Sequence, residues 1–136
     1  MHHLHLNPWA ILVGGVALWI LGAVWYSPAL FAKPWMALLG MQKTEGRKPG
    51  MLLAITAALI CDIVMAFMLE HLILWSGAST FAWGAFIGVL AWIGFIAAPN
   101  LPQGMFEGRP FKLFAINSGY WLVGLIVVGG MLAVWQ

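Results

Sequence analysis

Residues 51–74 read MLLAITAALICDIVMAFMLEHLIL. Wound as a helix at ~1.5 Å per residue, a run of this length crosses the ~30 Å hydrocarbon layer of a bilayer. Acidic and basic side chains are reduced to Asp62, Glu70 and His71, and the run is oily on every side instead of along one stripe. That is the pattern of a helix in lipid, since a helix lying on a soluble core keeps a polar face for water.

The flanks carry the same message. Before this span, Gln42 to Pro49 is the most polar piece of the chain, with Lys43, Glu45, Arg47 and Lys48, and it reads as a solvated loop. After it, Trp75 to Ser79 reads as a tight turn into a third span at about 80–98, and a fourth is expected at about 111–135 after a loop over 99–110. The first span, about 8–26, opens at Asn7-Pro8, a cap followed by a proline in the first turn. Pro28 to Met41 is apolar but too short to cross, and predicts a short helix along the membrane surface. The expectation is an all-α, four-transmembrane-helix bundle forming one domain over 1–136, with a short interfacial helix between the first and second spans.

Composition agrees. The 136 residues are 63% hydrophobic and 7% charged, with a mean hydropathy of +0.95, whereas a soluble domain carries about 25% charged residues. A soluble globule this small has too little interior to hide so much apolar surface, so the bilayer itself is the first partner expected. The net charge of +2 is spread over six basic residues that form no stripe, which argues against nucleic acid. Cys61, alone in an apolar run, reads as a small core residue.

Four spans place the loops after the first and third on one side, and Lys33, Lys43, Arg47, Lys48, Arg109 and Lys112 all fall there. The positive-inside rule then predicts a cytoplasmic (inner) membrane protein with loops 27–50 and 99–110 cytoplasmic and both termini outside. Trp9, Trp25, Trp75 and Trp135 fit aromatic belts at the two interfaces. In lipid, small residues let helices approach closely, and Gly84 and Gly88 form a G-x-x-x-G pair. Two readings stand side by side, a homodimer seam and packing within one bundle.

Three groups of residues are candidates for chemistry. Asp62 sits near the bilayer centre, where an acid costs ~2.5 to 3.5 kcal/mol on insertion scales. Its functional reading is a proton- or cation-coupled site, and its structural reading is a bond to a neighbouring helix, with Tyr120 as the partner. His2, His3, His5, Glu70 and His71 are brought to one side by the topology, but their spacing matches no metal motif; frayed histidines and a helix-end acid are the simpler account, and no cofactor is predicted. On the other side, Tyr26, Ser27, Glu107, Arg109, Asn117 and Tyr120 are expected either to line a small polar pocket or to make ordinary surface and interhelical bonds.

Part of this last group carries a resemblance. Gly22-x-x-Trp25-Tyr26-Ser27-Pro28 with Phe31 and Trp35, then Trp92-x-Gly94-Phe95, then Phe106-Glu107-x-Arg109 and Phe114-x-Ile116-Asn117-x-Gly119-Tyr120, resemble the small membrane family described as domain of unknown function 1761. The resemblance covers nearly the whole chain, implies the four-helix fold and draws attention to these residues; it implies no reaction. Asp62, Glu70, His71 and the N-terminal histidines lie outside its pattern. No Ser-His-Asp set, H-E-x-x-H, P-loop or dinucleotide fingerprint is present, so no catalytic residue is assigned and no enzyme is expected. A binding or accessory subunit, with lipid, a small apolar ligand or a partner membrane protein as its target, is the leading expectation. A proton- or cation-coupled small transporter using Asp62 in a homo-oligomer is the alternative.

Overall fold

A computed structural model describes residues 5–27, 29–39 and 50–136. His2, His3, Pro28, Lys43, Arg47 and Lys48 lie outside the described residues. The helices are α1 (Pro8–Trp25), α2 (Ala32–Leu39), α3 (Met51–Ser76), α4 (Phe81–Trp92), α5 (Ala98–Phe106) and α6 (Phe111–Val134), with no strand among the described residues. A π-helical turn, Ile93–Ala97, joins α4 to α5 without a break. Four stretches are thus long and apolar enough to cross a membrane: Pro8–Trp25, Met51–Ser76, Phe81–Phe106 and Phe111–Val134. The short α2 stands between the first and second of them.

Local chemistry sets the ends. The Asn7 side-chain oxygen accepts the Ala10 N–H at 3.2 Å and starts α1. Thr80 does the same for α4 through the Trp83 N–H, also at 3.2 Å. α3 stops at Gly77, whose φ of 73° suits a glycine; the Gly77 and Ala78 N–H groups close back on Leu74 and Ile73. The same closure recurs at Gly108, φ 70°, where Gly108 and Arg109 donate to Met105 and Gly104.

The third span is longer than the sequence led us to expect. Proline removes an N–H and crowds the preceding turn, so the sequence predicts a loop over Pro99 to Pro110. Instead the helix continues through Pro99 and Pro102 to Phe106, leaving only Glu107 to Pro110 between helices. The wide π turn just ahead of Pro99 accommodates the disrupted hydrogen-bond register. Farther along, the Asn100 side chain donates to the Ile96 carbonyl at 2.8 Å.

α6 is the centre of the bundle. Half of its apolar window is buried, against 11 to 28% for the other three spans, and it touches α1, α3, α4 and α2. Glycines make the contacts close. A Cβ on Gly84 or Gly88 would strike the backbone of Gly129 or Leu125, and a Cβ on Gly15 would come within 2.7 Å of the Ile63 Cα. Gly84 and Gly88 therefore lie in the α4–α6 contact inside one chain. Cys61 corrects its expectation: it is exposed on the outer surface of α3, because that helix buries the face carrying Asp62, Ala66, Leu69 and Ile73 instead.

Candidate functional site

At the Tyr26 end of the bundle, aromatic side chains from α1 and α4 are fastened to one short stretch of α6. The Trp25 indole N–H donates to the Ile116 carbonyl at 2.9 Å, and the Trp92 indole N–H donates to the Ser118 carbonyl at 2.8 Å. The Tyr26 hydroxyl donates to Asn117 Oδ1 at 2.7 Å. One turn deeper, the Tyr120 hydroxyl donates to the Leu18 carbonyl at 2.7 Å. Polar groups on helices surrounded by lipid need such partners, because no water stands by to replace them. Tyr26 lies one residue beyond α1, where burial pushes its hydroxyl up to about 12, so it remains a donor at physiological pH.

The glycines of the resemblance make room for these rings. A Cβ on Gly119 would stand 3.2 Å from the Trp25 ring, and a Cβ on Gly22 would stand 3.1 Å from the Tyr120 hydroxyl. Tyr26 meets Trp35 of α2 edge-on at 5.3 Å and Tyr120 at 5.9 Å. The pattern running from Gly22 to Tyr120 thus encodes a joint that sets α1, α4 and α6 in register.

Beside this joint, α5 and α6 enclose a cleft of about 400 Å³, lined among others by Asn100, Gln103, Glu107, Arg109, Asn117 and Trp121. Glu107 and Arg109 pair at 2.8 Å with both side chains well exposed, and Gln103 donates to Glu107 at 3.1 Å. An exposed pair of this kind adds little stability. It places one negative and one positive group at the rim. Asn117 is the link between joint and cleft: it lines the cleft, its oxygen is taken by Tyr26, and its NH₂ group has no partner among the described residues.

Of the residues singled out from the sequence, the structure gathers Tyr26, Asn117 and Tyr120 in the joint and puts Glu107 and Arg109 on the cleft rim. Ser27 turns back to its own helix, donating to the Val24 carbonyl at 2.6 Å. Asp62 is 3% exposed and makes no hydrogen bond to any described residue. The expected bond between Asp62 and Tyr120 is absent, because the Tyr120 hydroxyl is spent on Leu18. Gln103, Trp121 and the role of Trp92 were missed; Trp92 stood in the quoted pattern, but nothing in the spacing pointed its indole toward Ser118.

At the opposite, Asn7 end, Glu70 is fully buried. His71 turns away, its Nδ1 2.8 Å from the Phe67 carbonyl and its ring edge-on between Phe67 and Trp75. His5 is exposed. No group of three metal-ligating side chains comes together among the described residues.

Three long apolar helical stretches packed about a fourth, α6, with an interhelical cleft at one end, define a polytopic helical membrane protein. The profile of the family described as protein of unknown function DUF1761 matches residues 9–133, and the chain belongs to that family. No curated protein and no solved structure matches it.

Proposed function

We propose that this protein is a membrane-embedded binding or accessory subunit that holds a small amphipathic ligand in the α5–α6 cleft. The observation that carries this reading is the half-engaged Asn117, whose oxygen is bonded and whose NH₂ group is not, in the lining of a cleft walled by Phe114 and Trp121. Apolar ligand surface would lie on those rings, and its polar end would meet Asn117, Gln103 and the Glu107–Arg109 pair; pockets of this mixed lining suit such molecules. The bundle would sit in the cytoplasmic membrane with the Tyr26 end inward, a placement supported by five of the six Lys and Arg residues falling on the two connections at that end and the sixth, Lys112, in the first turn of α6.

Native mass spectrometry of the protein in lipid nanodiscs tests the reading. A retained non-protein mass is expected, lost from Asn117→Leu and Trp121→Ala and kept by Gly94→Ala, whose Cβ meets nothing within 4 Å. Wild-type protein that carries and takes up no ligand overturns it.

A second reading, a proton- or cation-coupled transporter working as a homo-oligomer, is favoured by Asp62, an acid 3% exposed with no described partner. Proteoliposomes under a pH or cation gradient decide it: flux that stops in Asp62→Asn supports it, and absence of flux in the wild type sinks it.

A further inference from the structure

Glu70 lies at the far end of the bundle from the cleft, and nothing so far gives it a task. Its side chain is 0% exposed. Oε1 accepts the Asn7 backbone N–H at 3.5 Å, the long limit of such a bond, and Oε2 has no partner at all among the described residues. Asn7 in turn reaches two other helices: its Oδ1 caps α1 at Ala10, and its Nδ2 donates to the Trp135 carbonyl at 3.4 Å, just past α6. Glu70, Asn7 and Trp135 thus tie together the last turns of α3 and α6 and the first turn of α1.

Among the described residues, few charges face this clasp. From α3 itself there is His71, turned to the Phe67 carbonyl; from the segment ahead of α1 there is His5, exposed; α4 and the second half of α6 bring no titratable side chain. The described Lys and Arg residues, Lys33, Arg109 and Lys112, are all on connections or helix starts at the opposite end. A buried carboxylate with only the neighbouring His71 ring to offset its charge costs several kcal/mol, and an orphaned anionic oxygen adds to it. A proton removes that charge at once.

We propose that Glu70 is a proton-binding site and that the bound proton closes the Asn7 end of the bundle. The proton comes from bulk water on that side and returns there. With it in place, the neutral acid stays buried and Asn7 holds α1 to α6. Once the proton leaves, the Asn7 N–H holds the carboxylate more firmly than the acid, but one long bond does not replace the lost hydration; water drawn to the buried charge parts the helix ends, so the clasp is present at low pH and lost as pH rises.

The test is hydrogen exchange of the whole chain in nanodiscs between about pH 5 and pH 9, corrected for intrinsic rates. Amides around Ala10 and Ile11 should lose roughly tenfold or more of their protection across that range, while those of 116–120 stay constant. Glu70→Gln, neutral at every pH, should keep protection throughout, and His71→Gln should behave as wild type. A flat wild-type profile, an unchanged profile in Glu70→Gln, a profile erased by His71→Gln, or loss of protection at 116–120 in parallel would each overturn the proposal. Infrared spectra of wild-type protein with labelled glutamate give a measure independent of how Glu70→Gln folds. A protonated-carboxyl band that fades with the same midpoint supports the site, and its absence refutes it.

Discussion

The Tyr120 hydroxyl reaches the Leu18 carbonyl across the α1–α6 interface at 2.7 Å, in the space that Gly22 leaves open. Hydrogen bonds between membrane helices are worth about 0.6 kcal/mol on average and rarely above ~1.7. Tyr120→Phe should therefore lower stability modestly, by about 1 kcal/mol. Gly22→Leu, which drives a branched side chain into the ring, should cost about 3 kcal/mol, within the range for overpacked sites. Denaturant unfolding in mixed micelles measures both, and equal effects would contradict the packing described.

Tyr26 and Asn117 form the second link of the joint, at 2.7 Å. A double-mutant cycle with Tyr26→Phe and Asn117→Leu should give a coupling free energy of about 0.5 to 1.5 kcal/mol. Additive single effects would mean that the two side chains do not depend on each other.

Glycine substitutions separate contact from exposure. Gly84→Leu and Gly88→Leu place side chains against the α6 backbone and should abolish the monodisperse peak in size-exclusion chromatography. Gly94→Leu, with open space around it, should leave both the peak and the thermal midpoint where they were. If all three behaved alike, the α4–α6 contact would be wrong.

Sidedness is read by thiol labelling in a Cys61→Ser background. Ser79→Cys, in the α3–α4 turn, should react with an impermeant maleimide on intact cells, whereas Lys112→Cys should react only after permeabilisation. The reverse pattern would invert the proposed orientation.

The spans were legible because a hydrocarbon layer imposes a length and forbids charge, and residues 51–74 meet both conditions. Which face of each span meets another helix was not legible, since helices oily all round carry no stripe to distinguish protein from lipid. Cys61 shows the consequence: it is as apolar as its neighbours, yet it lies outside while Asp62 is enclosed. Pro99 and Pro102 misled for a different reason, because their usual effect is offset by a π turn that no residue pattern announces. In the candidate site, the residues of the joint were visible as a pattern, but their pairing was not. The indole of Trp92 and the carbonyl of Ser118 meet only because glycines set how deeply α4 and α6 sink into each other.

The central place of α6 also dictates the order of assembly. It follows α1, α3 and α4 along the chain, so these leave the ribosome before the surface on which they all pack has been made. α1 and α3 can pair at once, but α4 must wait among the lipids with its glycine face uncovered. Completion of the fold is therefore a post-insertion encounter between helices already in the bilayer.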